Sequence, residues 1–108
     1  MYRIEGNTIS LTRGDSFFCT LTLKKNGQTY TPAQGDVIRF AMKKNYNSPT
    51  VLIEKTIPND TLLLHLLPAD TKQLQTGRYV YDIELTDDSG EVDTFIAEGL
   101  LELTPEVK

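Results

Sequence analysis

Two side chains in this 108-residue sequence are of the kind that carry nucleophilic or metal chemistry: the single cysteine, Cys19, and the single histidine, His65. A thiolate paired with an imidazole is the simplest catalytic arrangement that they offer. Cys19 falls in "SFFCTLTLKK", in phase with Phe17, Leu21 and Leu23. A thiol on such a face behaves as a small, inert hydrophobe. His65 lies in "TLLLHLL", out of phase with Leu62, Leu64 and Leu66, where a half-exposed strand residue is expected. One histidine and one cysteine cannot build a His-rich or thiolate zinc site.

The densest acidic stretch, "TDDSGEVD", holds Asp87, Asp88, Glu91 and Asp93. It lacks the spacing of a calcium-binding EF-hand loop, and Asp-Asp-Ser-Gly is a good hairpin loop without any metal. The seven glycines sit singly in turns, and none forms a phosphate-cradling loop. The expected protein is therefore not an enzyme and uses no cofactor, metal or small-molecule substrate. Sugar binding calls for an exposed aromatic platform. Trp is absent, and Tyr46 in the loop "NYNSP" is the best-placed candidate for it.

Arg13-Gly14-Asp15-Ser16 spells a tetrapeptide used in integrin adhesion, but Gly-Asp recurs at Gly35-Asp36, again directly before an apolar strand. Gly allows the turn conformation and Asp bonds to nearby backbone amides as the chain enters the strand. Both pairs are read as turns that launch strands.

Composition narrows the function classes. The net charge is -4 and the only basic doublets are Lys24-Lys25 and Lys43-Lys44, so nucleic acid is not an expected partner. The first residues, "MYRIEGNTIS", contain no apolar signal region, and no run approaches the roughly 20 apolar residues of a membrane span. With one cysteine and no such signal, synthesis in the cytosol is expected.

The elements that position these residues follow from alternation with period two, broken at short intervals by turn formers. "TISLT", "SFFCTLTLKK" and "QTYT" read as strands, the last two joined at Asn26-Gly27, the strongest short hairpin signal. "VIRFAMKK" turns Ile38, Phe40 and Met42 inward. "VLIEKTI" (Val51 to Ile57) is a strand, and Pro68 to Leu74 suits one short turn of helix. "RYVYDIELT" turns Tyr79, Tyr81, Ile83 and Leu85 inward, and the return strand turns in Phe95, Ala97, Leu101 and Leu103. Gly99 marks a bulge or a break between two strands. About eight or nine short strands in a single domain spanning residues 1–108 give an all-β fold. An immunoglobulin-like antiparallel β-sandwich is the first choice and a small closed barrel the alternative.

Three apolar residues fall on faces that alternation gives to solvent: Phe18, Leu63 and Val80. If their strands share a sheet they form a patch, and patches mark interfaces. They are the candidate surface for association.

"RGDSFFCTLTLKKNGQTYTPAQGDVIRFAMKK", "LHLLPADTKQLQTGRYVYDIELT" and "VDTFIAEGLLELTPEV" together look familiar. Their layout resembles small β-sandwich proteins of phages and prophages of Gram-positive bacteria, and is similar to the amino-terminal domain of the phage baseplate upper protein. In that group a "GD" opens a strand, here Gly14-Asp15. A "G-D-x-I-x-F" strand follows, here Gly35 to Phe40. A "T-x-x-L-x-x-G-x-Y-x-Y-D-I" run then covers Thr71 to Ile83. The resemblance implies a non-enzymatic virion component, made in the bacterial cytoplasm and built into a tail or baseplate. Its implied partners are other tail or baseplate proteins and itself, and it carries over no catalytic residue. Ending at residue 108, the chain lacks the long carboxy-terminal part of baseplate upper proteins, so a small structural piece is expected rather than a host-binding protein. The alternative is a small carbohydrate- or cell-surface-binding module centred on Tyr46.

Overall fold

A computed structural model describes residues 2–106; it is 53% strand and 5% helix. The longest strands lie at its centre: β9 (Gly77–Thr86) runs antiparallel to β10 (Val92–Thr104) across the Asp87 to Gly90 turn. Around them β1 (Tyr2–Glu5), β2 (Thr8–Thr12), β6 (Val37–Lys43) and β7 (Ile53–Ile57) complete a six-stranded sheet in the order β1-β2-β10-β9-β6-β7. A second, narrower layer holds β3 (Phe17–Thr20) paired with β8 (Leu63–Leu66) and the small hairpin of β4 (Lys24–Lys25) and β5 (Gln28–Thr29). Helix α1 (Pro68–Lys72) follows β8 directly.

Alternation explains the core. Tyr79, Tyr81, Ile83 and Leu85 of β9 and Ile38, Phe40 and Met42 of β6 are buried, with Ile9, Leu11, Leu101 and Leu103 beside them. Phe17, Leu23, Leu64 and Leu66 meet them from the second layer. The result is an all-β sandwich. Its large sheet stays open, with β1 and β7 at opposite edges, so the closed barrel is excluded.

Local chemistry shapes the connections. Asn26 and Gly27 both take positive φ, 53° and 80°, as a two-residue hairpin turn of this type demands. Pro68 opens α1, where its missing N–H costs nothing. The Leu67 amide donates to the Asp70 carboxylate at 2.7 Å, and Lys55 reaches the same carboxylate at 2.9 Å, tying α1 to β7.

Five details differ from the sequence reading. Strand β1 was not expected, because "YRIE" is short and all four of its residues are exposed. The β2–β10 pair is parallel, Thr8 to Thr12 lying beside Leu100 to Thr104, whereas every other pair among the described residues is antiparallel. These two strands are joined by most of the chain, so no tight turn fixes their relative direction. "SFFCTLTLKK" is not continuous. Leu21 donates to the Leu62 carbonyl and Leu23 accepts from the Tyr30 amide, so the chain passes from β8 to β5 as bonding partner. Leu62 is not a strand residue: it has φ 53°, its amide bonds to the Pro58 carbonyl, and it is only half-buried. Ala97, expected inside, is exposed. Register shifts between Thr94 and Ile96 and between Ile96 and Gly99 displace it. Those shifts bear out the bulge expected at Gly99, and β10 continues through it as one strand.

Candidate functional site

Cys19 and His65 lie on adjacent strands but on opposite faces. Cys19 pairs with Leu64 and His65 with Phe18, and neighbouring positions along a strand point to opposite sides. The Cys19 side chain packs against the core, and burial pushes its thiol pKa up. It also sits near Tyr81, whose hydroxyl pKa is pushed up to about 12, chiefly by burial. The imidazole of His65 stacks on Phe18, with ring centroids 4.2 Å apart and planes inclined by 16°. The two groups therefore form no dyad.

Of the three candidate interface residues, the structure joins two. Phe18 and Leu63 share the outer face of the β3–β8 pair with Thr20 and His65, and Phe18 is 47% exposed. Val80 lies on the outer face of the six-stranded sheet, between Leu100 of β10 and Lys43 of β6. That face points away from the second layer, so Val80 cannot contribute to the Phe18–Leu63 patch.

The surroundings of Val80 form a different feature. Ala41, Lys43, Tyr46, Val80, Asp82 and Ala97 line a concavity of about 190 Å³ on the outer face. Its origin is the β10 bulge. Ile83 pairs with Ile96 and Tyr81 with Gly99, so Asp82 has no partner residue on β10, and Ala97 and Glu98 arch past it. On its other side Asp82 faces Ala41, which offers no polar atom beyond the backbone. The Asp82 Oδ1 atom is buried and accepts no hydrogen bond from the described residues. Desolvation, followed by the nearby negative charge of Glu84, raises the Asp82 pKa, and Arg39 and Lys43 only partly oppose this. Arg39 is already engaged, 2.6 Å from Glu54 and 2.7 Å from Glu84. Tyr46, 57% exposed, stands at the rim.

Sequence reasoning singled out Tyr46 and Val80 but missed Asp82, Lys43 and Ala97 as companions. The signal available was Gly99. A bulge in β10 implies that some β9 residue loses its cross-strand neighbour, though the spacing alone does not say which.

The turns that resemble ligand motifs are occupied by the protein itself. The Arg13 guanidinium donates to the Leu74 carbonyl at 3.2 Å and to Glu106 at 3.3 Å, while the Gly14 amide donates to Thr71 Oγ1 at 2.9 Å. The RGDS segment is thereby fastened to α1 and to the end of the chain. Asp36, nearly buried, accepts from the Tyr30 hydroxyl at 2.7 Å and the Ala33 amide at 2.8 Å. In "DDSG", Asp87 Oδ1 accepts from the Ser89 amide and hydroxyl and from the Glu91 amide, and these bonds lower its pKa. Both Gly-Asp pairs and this loop work as turns.

Among the described residues, no group of three His, Cys, Asp or Glu side chains is placed to hold a metal ion. No family model, curated sequence or solved structure matches the chain.

Proposed function

We propose that this protein is a non-enzymatic structural component of a phage or prophage tail or baseplate, working through protein–protein contacts. Its proposed partners are other tail or baseplate proteins and further copies of itself, and its proposed final location is the virion. The resemblance of "GDVIRF" and "TKQLQTGRYVYDI" to that group supports the reading. One observation carries the contact mechanism: Phe18, a large ring 47% exposed on the outer face of β3–β8, has Leu63 and His65 as its neighbours. An aromatic ring left in water on a two-stranded sheet is the kind of residue that anchors an interface.

Light scattering over a range of concentrations tests the contact. The expected mass rises above the 12.2 kDa of one chain, and Phe18→Asp returns it to the monomer value. Val80→Asp, on the opposite face, leaves the association unchanged. Mass spectrometry of purified particles after prophage induction tests the setting. A strict monomer at high concentration, unchanged by Phe18→Asp and missing from particles that do form, would overturn the proposal.

A further inference from the structure

The concavity over Asp82 joins features that packing alone does not call for. A carboxylate stands where the β-ladder gives it no partner, with one oxygen buried and without a donor. Native proteins satisfy most buried polar atoms, and an exception calls for an explanation, such as strain, a functional role or a bound water, ion or other donor. Around the carboxylate are three apolar contacts, Ala41, Val80 and Ala97, one ammonium group, Lys43, and the exposed ring of Tyr46. The volume of about 190 Å³ falls below the roughly 300–1,000 Å³ of pockets for drug-sized molecules, which leaves room for one small ring.

The geometry points to a binding site for a neutral polyol, a single sugar residue, in this concavity, with a hydroxyl donating to Asp82, Lys43 donating to a second sugar oxygen, and the Tyr46 ring covering an apolar face of the sugar. The terminal torsion of an aspartate is soft, so either carboxylate oxygen can turn toward the ligand. A neutral ligand follows from the lining, which holds one carboxylate, Asp82, and one ammonium group, Lys43, so that a cation meets Lys43 and an anion meets Asp82. Size excludes a long chain from the concavity, so a polysaccharide would present one residue at a time. This site lies on the other side of the molecule from Phe18 and Leu63, and it stands or falls independently of the assembly reading.

Backbone amide NMR with D-glucose, D-galactose, L-rhamnose and N-acetyl-D-glucosamine, each at tens of millimolar, is the direct test. Arginine methyl ester serves as the cationic control. The expected result is that at least one sugar shifts the amides of Lys43, Tyr46, Val80, Asp82 and Ala97 and that the control does not. Asp82→Asn and Tyr46→Ala should each weaken that sugar about tenfold or more, the loss expected when a charge-assisted hydrogen bond or a stacking face is removed. Ala97→Leu, at an exposed position, should abolish binding by filling the space while leaving the rest of the spectrum intact. Three results would each overturn the site: no shifts with any sugar, shifts mapping elsewhere, or affinity unchanged in the three folded variants. Shifts with arginine methyl ester alone would overturn the polyol assignment in favour of a basic side chain.

Discussion

Gly99→Ala separates two opposite effects of removing a glycine. Gly99 is buried in the middle of β10, and its φ is not in the left-handed region that favours glycine. Judged by the backbone alone, alanine would stabilise the protein by about 0.4–1 kcal/mol through a less flexible unfolded chain. The neighbouring ring reverses that sign. A Cβ at Gly99 would stand 2.5 Å from Cε2 and 2.7 Å from Cε1 of Tyr81, with Cζ closer still. Tyr81 has little room to yield. It is 4% exposed, its ring centroid lies 5.3 Å from that of Phe40, and its hydroxyl donates to the Asn7 carbonyl at 2.8 Å. Overpacking of this kind costs about 1–3 kcal/mol. Losing the Asn7 bond as the ring moves adds about 1 kcal/mol. Set against the backbone gain, a net loss of about 1–3.5 kcal/mol lowers the melting temperature by roughly 4–18 °C for a chain of this size. Urea and thermal melts measure it, and a double-mutant cycle with Tyr81→Leu assigns the cause. Gly99→Ala should cost at least about 1 kcal/mol less once the ring is gone. A Gly99→Ala protein as stable as the parent, or costs that add within about 0.5 kcal/mol, would refute the steric account.

Two further substitutions probe the polar anchors. Thr71→Val removes the acceptor of the Gly14 amide from a fully buried side chain at nearly constant volume, and should cost about 1–3 kcal/mol. Hydrogen exchange should show Gly14 losing protection, and unchanged protection there would mean that the turn is held by other contacts. Asp82→Asn should stabilise the protein at pH 7, with a gain that disappears in acid. Because the folded Asp82 pKa lies above its value of about 3.8 in the unfolded chain, the native state binds the proton more tightly. Its contribution is intact below pH of about 3.8 and is lost as pH rises through the folded pKa. The charges facing it, Glu84, Arg39 and Lys43, remain in both proteins, so the difference between their urea melts at pH 7 and at about pH 3 isolates Asp82. A difference independent of pH would contradict the assignment.

What the sequence made legible was whatever depends on local pattern. Alternation placed the inner faces of β6 and β9, Asn26-Gly27 fixed the β4–β5 hairpin, and Pro68 located the helix. Each of these follows from residues within a few positions of one another. The parallel β2–β10 pair, the Thr71 bond to Gly14 and the contact between Gly99 and Tyr81 join segments far apart in the chain. No periodicity encodes such pairings. The candidate surface divided along the same line. Phe18 and Leu63 were found by phase and proved to be neighbours, whereas Val80 was equally out of phase and lies on the other sheet.

The Asp82 concavity is the instructive case, because it arises where a local rule is broken. Alternation correctly turned Asp82 outward, and on an ordinary strand an outward aspartate is solvated or paired across the ladder. Two shifts of register in β10 remove that partner without changing which face Asp82 occupies. They leave an acceptor half sealed from water between Ala41 and Ala97. Asparagine, serine or an apolar residue at this position would each lessen the desolvation cost. The stability gain predicted for Asp82→Asn is therefore also an argument about function: an aspartate that weakens the fold while lining a concavity is a candidate for work done in that concavity. A stabilised Asp82→Asn protein that has also lost sugar binding would join the two halves of the argument, since one carboxylate would then account for both the cost and the use.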